Sequence, residues 1–398
     1  MINKTKNKIS EFEFIALMAF LMANVAMSID SILPALEDIG SSIGDTNSTD
    51  LQLLITMIFL GLGIGQLVFG TISDSIGRKP TVYWGFAIFI IASFICLESQ
   101  TLSWMLIGRI FQGIGLAAAR TISVSIVRDL YVGDYMARIM SFVTVIFILI
   151  PMLAPIIGQE ILHRFNWQAI FYFQIVFAAL IWFWFYRRQT ETLVKSKRIK
   201  LTSTVFVDGV TEFFKYKKAI LYTIISGVLT GCFMVFLSSS KQIFQDQYHY
   251  KDAYVYIIAG ISSFLGLATF LNGNLVLKFG MRRLSKTAMY LFCSVSLVYS
   301  ILFYNSSNPN IFVITIFMGL QFLSLGFIFG NIRAMTMEPI GHIAGIGAAL
   351  SGFISTLIAV PIAIFIGSFI NLTALPVFIG FFSCSFFSIL IIHFSSDK

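Results

Sequence analysis

The chain has 398 residues, 57% of them hydrophobic and 12% charged, with mean hydropathy +0.87 and a formal net charge of +8. Soluble domains carry roughly 25% charged residues. A soluble core of this length could not hide so much apolar surface, so lipid must be the solvent. The positive charge does not point to nucleic acid, because the bases fall in short segments between apolar runs and form no stripe or arm.

Lys4, Lys6 and Lys8 precede a first apolar run from about Phe12 to Pro34. It imitates a signal peptide but exceeds the h-region length of about 7–15 residues, so it reads as a retained first span. A helix needs about 20 apolar residues to cross the hydrocarbon. Twelve runs qualify, at roughly 12–36, 50–73, 80–99, 101–127, 136–162, 167–187, 218–240, 253–277, 284–304, 309–331, 341–370 and 375–394. The expected fold is an all-α membrane protein of twelve transmembrane helices. The polar segment 188–217 divides them into six-helix bundles at 1–187 and 218–398. This linker holds Lys195, Lys197, Arg198, Lys200, Lys215 and Lys217, and reads as a solvated segment attracted to anionic lipid.

Charge sets the orientation. Odd-to-even loops carry only Arg164, Lys241 and Lys251, whereas the termini and the even-to-odd loops carry twenty-two Lys and Arg. The positive-inside rule then places both termini in the cytoplasm. Loop 37–50 holds Glu37, Asp38, Asp45 and Asp50 and no base, as an outside loop can. Cys96, Cys232, Cys293 and Cys384 fall in or beside apolar runs without CxxC spacing, so neither a metal site nor a disulfide is expected.

The halves carry a faint repeat. Gly70 and Gly77 recur 203 residues later as Gly273 and Gly280, and Lys79 aligns with Arg282. Leu277 stands where Asp74 would recur. Two pseudo-symmetric six-helix bundles joined by a basic linker are expected.

Gly70-Thr71-Ile72-Ser73-Asp74-Ser75-Ile76-Gly77-Arg78-Lys79-Pro80 places an acid, a glycine turn and two bases between two apolar runs. The pattern GxxxDxxGRKP resembles the loop between spans two and three of the major facilitator superfamily. Arg109-Ile110-Phe111-Gln112-Gly113-Ile114-Gly115 resembles its RxxQGxG signature. Pro151-Met152-Leu153-Ala154-Pro155-Ile156-Ile157-Gly158 resembles the antiporter motif of span five, and Glu191-Thr192-Leu193 resembles the ending of the first half. With Asp30-Ser31-Ile32-Leu33-Pro34, Arg128-Asp129-Leu130-Tyr131 and 344–350, the chain resembles the Bcr/CflA branch of drug:proton antiporters. It departs from the pattern at Ala154 and Gln159, and Met18, Met22 and Ala23 leave the inner half of span one neutral. The resemblance implies the major facilitator fold, alternating access and proton antiport.

Asp30 is the only carboxylate well inside a span. An ionised group at mid-membrane costs about 2.5–3.5 kcal/mol on insertion scales. Low dielectric favours the neutral carboxyl and a nearby cation the ionised one, so a carboxylate between the two can load and release a proton. A static, paired acid is the other reading. Arg109 and Arg120, the only bases well inside spans, lie eleven residues apart and so on one face of span four, with Gln112, Gly113 and Leu116. Such a stripe should point into a cavity. Asp30 and Arg109 fall at depths agreeing within roughly 3 Å, which allows a pair, direct or through water. Arg109 as a brace on backbone carbonyls is the alternative.

The expected substrate cavity is therefore Asn24, Met27, Asp30, Arg109, Gln112 and Gly113, with Asp30 and Arg109 coupling the proton. Gly70, Asp74, Gly77, Arg78, Lys79 and Arg120 form the expected cytoplasmic gate. Asp74 can accept bonds from a helix N-terminus or a base of the second half; a plain turn is the alternative. For Arg120 a snorkelling, substrate-anion or proton-path role is also open. Pro151, Pro155 and Gly158 are expected to bend span five. Gly61, Gly65, Gly341, Gly345, Ala348, Ala349 and Gly352 read as helix-contact positions.

The expected function is a bacterial inner-membrane exporter of amphipathic drugs, a monomer and not an enzyme, with the proton as coupling ion and no cofactor. Export of a metabolite or siderophore and proton-coupled import are the alternatives. Its partners are a small-molecule substrate and the bilayer, with no nucleic acid.

Overall fold

Ser10 opens the first helix, its Oγ accepting the N–H of Glu13 at 3.1 Å, with Glu11 and Glu13 favourably placed in the first turn. This computed structural model describes residues 9–44, 48–200, 204–250, 253–304, 308–370 and 373–396. Lys4, Lys6, Lys8, Asp45, Lys251 and Lys398 lie outside the described residues, as do the side chains of Asp50, Pro151 and Met152.

The first half comprises α1 (Glu11–Asp30), α2 (Leu36–Ile43), α3 (Ser48–Ile76), α4 (Arg78–Leu97), α5 (Leu102–Leu130), α6 (Gly133–Arg164) and α7 (Gln168–Arg188). The linker helix is α8 (Val205–Lys215). The second half comprises α9 (Lys217–Lys241), α10 (Tyr254–Phe279), α11 (Met281–Leu302), α12 (Ile311–Met337), α13 (Ala344–Gly367) and α14 (Leu375–Ser396). The protein is all-α, a multi-pass membrane protein. Among the described residues, eleven helical stretches are long and apolar enough to span. The remaining expected span falls in α6, part of whose side chains are outside the description.

The first span is interrupted. α1 stops at Asp30, and a 3-10 turn, Leu33–Ala35, precedes α2. Pro34 explains the break, because it has no N–H to continue the ladder. Asp30 lies inside the Glu11–Ile43 stretch, as expected, and is the last residue of α1 at the break.

Two compact units cut across the linear order. One contains residues 1–131, 146–213 and 341–350; the other contains 132–145, 214–340 and 351–398. The chain thus changes unit within α6 and within α13.

In the first unit, glycines let backbones touch. A Cβ on Gly61 would lie 2.0 Å from the carbonyl O of Ile110, and one on Gly113 2.1 Å from that of Ile58. These close approaches join α3 to α5. Gly65 meets Ile114 in the same way, so the small-residue face expected in span two is a contact face.

In the second unit, Tyr299 and Phe378 stack with centroids 3.6 Å apart. A polar trio is fully buried: Asn272 Nδ2 donates to Ser141 Oγ and to Asn331 Oδ1, both at 2.8 Å, and Asn331 Nδ2 returns a bond to Asn272 Oδ1 at 2.9 Å. Buried amides keep a cost unless paired, and here they pair. The thiols of Cys232 and Cys384 are free and are neighbours. Sequence spacing gave no hint of that neighbourhood.

The repeat has a backbone counterpart. Gly77 and Gly280 each precede a helix, α4 and α11, with φ of +112° and +80°. Only glycine enters this region without strain. A Cβ on Gly70 would meet Ala349 at 2.4 Å, and one on Gly273 would meet the ring of Phe142 at 2.5 Å. Each paired glycine therefore seats a segment of α13 or α6 that belongs to its own unit.

Candidate functional site

The densest polar cluster of the first unit surrounds Arg78. The turn at Gly77 brings Arg78 back toward Asp74, and a Cβ at Gly77 would fall 2.7 Å from Glu191 Oε2. Arg78 is 2% exposed, yet it carries a full charge. Its Nε donates to Asp129 Oδ2 at 2.9 Å, and its Nη2 to Asp129 Oδ1 at 3.3 Å. Its Nη1 donates to Ser73 Oγ at 2.9 Å and to Asp74 Oδ1. A buried ion is tolerable only when it is paired and fully bonded, and Arg78 meets that condition.

Asp74 has further partners. Oδ1 accepts the N–H of Gly345 at 3.0 Å, and Oδ2 accepts the N–H of Ile346 at 2.9 Å. These are the first free amides of α13, where a helix N-terminus favours an anion. The small residues Gly345 and Ala349 make room for this approach, since a Cβ on Gly345 would meet Gly70 O and Ser73 Oγ at 2.4 Å.

Glu191 caps α4 from the other side. Its Oε1 and Oε2 accept the N–H groups of Arg78 and Lys79, each at 3.0 Å, and Oε1 also accepts from Leu193 N at 2.9 Å. Thr192 Oγ1 donates to Asp129 Oδ2 at 2.8 Å. Lys79 Nζ donates to the carbonyl of Tyr186 at 3.1 Å. Gly70, Asp74, Gly77, Arg78 and Lys79 therefore come together as expected. Asp129, Glu191 and Thr192 join them, although the sequence marked these only as motif residues. Arg120 does not join: it takes no part in this network, standing ten residues before the end of α5 and so about 15 Å along the helix axis.

The second polar cluster lies around Arg109, which is 0% exposed. Nε donates to the carbonyl of Leu54 at 2.9 Å, and Nη1 donates to the carbonyl of Ser28 at 3.2 Å and to Gln112 Oε1 at 2.8 Å. Nη2 is buried without a partner among the described residues. Gln112 Nε2 donates to Ser93 Oγ at 2.7 Å, and Gln174 Nε2 to Ser31 Oγ at 2.9 Å. The network thus ties α1, α3, α4, α5 and α7. The bond to Ser28 O puts Arg109 at the depth of the end of α1. Asp30 is half-buried, with no ion pair among the described residues, and Arg109 acts on it through space.

The residues expected to line the cavity are, apart from Asp30, enclosed within the first unit. Asn24, Met27, Arg109 and Gln112 are at most 3% exposed, and Gly113 is a backbone contact. They form the packed interior of the first unit, and only Asp30 keeps access. Periodicity identified the face correctly but not the helices that cover it. Asn24 is unusual: neither Oδ1 nor Nδ2 has a partner among the described residues. α6 runs unbroken through Pro151 and Pro155, and a Cβ on Gly158 would lie 1.9 Å from Ser31 O, so Gly158 permits close contact with the end of α1.

A family model described as Major Facilitator Superfamily matches residues 15–365. The bicyclomycin resistance protein homolog of Haemophilus influenzae is 25% identical over 396 residues, covering 98% of this chain and 97% of that protein. The multidrug resistance protein MdtL of Klebsiella pneumoniae is 24% identical over 383 residues, 94% of each chain. Among solved structures, the E. coli fucose:proton symporter FucP aligns with TM-score 0.78 at 11% identity, over 98% of this chain and 100% of that one.

Proposed function

The chain belongs to the major facilitator superfamily, and we propose that it is a proton-coupled exporter of drugs or similar amphipathic molecules. It is a transporter by family. The drug-resistance names of full-length relatives favour export of such molecules. The observation that carries proton coupling is Asp30: a half-buried carboxyl at a helix break, without an ion pair among the described residues, beside a braced cation. A group so placed can change protonation without dismantling the fold. Arg109 supplies a fixed positive field, because three bonds hold it.

In this reading both termini are cytoplasmic and the membrane is the bacterial inner membrane. The Arg78 cluster is then the cytoplasmic gate. Asp74 holds the first turn of α13 while its bonds last, and their loss frees that turn for alternating access. The test is substrate efflux in proteoliposomes under an imposed pH gradient. Efflux that follows the gradient, with protons moving oppositely, supports the proposal. Transport indifferent to the gradient sinks it.

A further inference from the structure

Arg78, Arg188 and Arg198 of the first unit each face a carboxylate. Arg120 faces none. Its guanidinium makes no ion pair and no hydrogen bond among the described residues. From Gln112 to Val127, α5 is buried at every position but Ile114 and Arg120. Its neighbours one turn away are Leu116, Ala117, Ser123 and Val124, and the Ser123 hydroxyl is spent on the Arg120 carbonyl at 2.8 Å. The guanidinium thus reaches accessible space in an apolar frame with none of its donors used.

Snorkelling does not account for it. α5 is 29 residues long, about 43 Å, and Arg120 sits only about 6 Å from its midpoint. With α5 centred on a hydrocarbon layer about 30 Å thick, the polar boundary is about 9 Å beyond Arg120, more than a turn away. An intramembrane cation without a counter-charge is costly, and its retention points to a partner that comes and goes.

We propose that Arg120 recognises an anionic group on the transported molecule, so that the substrates include amphipathic organic anions: a carboxylate or sulfonate on an apolar body. The planar fork of arginine matches such oxyanions with two parallel bonds. The apolar frame favours a hydrophobic body beside the charge. An inside-negative potential also drives a negative charge outward, which suits export. The inference rests on the transporter reading and names a substrate class for it.

The experiment compares 2-naphthoate with its neutral counterpart 2-naphthamide, by equilibrium binding to the purified full-length protein. Wild type should bind the anion about tenfold tighter or more, the usual scale for a charge-assisted contact. Arg120→Gln should abolish the preference, and Arg120→Lys should keep part of it, since the charge remains without the fork. Equal affinities in wild type, or no binding of the anion, would overturn the proposal even if Arg120→Gln failed to fold. A preference that persisted in folded Arg120→Gln would overturn it as well. Ethidium efflux in proteoliposomes separates the two readings. Proton-driven ethidium efflux without anion preference rejects only the anion site. Anion preference without any proton-driven transport, of ethidium or of 2-naphthoate, rejects only the coupling.

Discussion

The backbone N–H of Met281 donates to Asp134 Oδ1 at 2.7 Å. Asp134 thereby holds for α11 the place that Glu191 holds for α4. Met281 and Arg78 are equivalent positions in the repeat, both following a positive-φ glycine. In the first unit the cap comes from the segment after α7. In the second it comes from the start of α6. The acid missing at Leu277 is not restored at its own position; another carboxylate caps the helix that follows it.

Asp134→Ala should therefore destabilise the second unit by about 0.5–2 kcal/mol, the usual cost of losing a helix cap. Asp134→Asn should lose less, since an amide oxygen can still accept. Thermal unfolding in detergent reads the difference. A neutral Asp134→Ala would show that the cap contributes nothing.

Asp74 accepts from Gly345 N, Ile346 N and Arg78. Hydrogen bonds to a charged group contribute about 1.5–3 kcal/mol each. Asp74→Asn should loosen the first turn of α13 by at least tenfold in population. With native cysteines removed, a cysteine at Ala348 should react faster with an impermeant maleimide from the cytoplasmic side. Unchanged labelling in a well-expressed variant would count against the latch.

At Gly77 two effects coincide. An added Cβ would sit at φ +112° and press on Glu191. Strain of this kind costs about 1–3 kcal/mol. Gly77→Ala should lower the unfolding midpoint more than Gly133→Ala, where φ is +58° but nothing lies within 4 Å of the new Cβ. Equal shifts would mean that backbone strain alone matters and that Glu191 simply moves aside.

Much of this was legible in the sequence. The spans followed from apolar run length, and the turn at Gly77 followed from its motif. Asp74 as an acceptor for a helix N-terminus followed from an acid beside a turn. What stayed hidden depended on long-range contact. Asp129 and Glu191 meet Arg78 across 51 and 113 residues, and no local pattern reports such a meeting. Helical periodicity placed Arg109 and Gln112 on one face, but it could not say that α1, α3, α4 and α7 would cover that face. The same periodicity put Arg120 near the gate, because it carries no information on counter-charges. Asp134 was invisible for a simpler reason: the repeat directs attention to position 277, on a different helix.

Arg109 distinguishes bracing from charge. Arg109→Gln should lose the bonds to Leu54 O and Ser28 O together with the positive field on Asp30. It should lower both stability and proton-driven transport. Arg109→Lys keeps the charge but not the fork, so transport should recover more than stability does. Recovery of stability without transport would assign Arg109 to bracing alone.

The most direct measurement is made on Asp30. Reconstituted Asp30→Asn and wild type are compared in two assays on the same vesicles: efflux driven by an imposed pH gradient, and exchange of labelled for unlabelled substrate without a gradient. Asp30→Asn should lose gradient-driven efflux by about 100-fold or more while retaining exchange, because the binding and gating apparatus is intact and only the titrating group is gone. Gradient-driven efflux at the wild-type rate in Asp30→Asn would contradict it and place the coupling proton elsewhere.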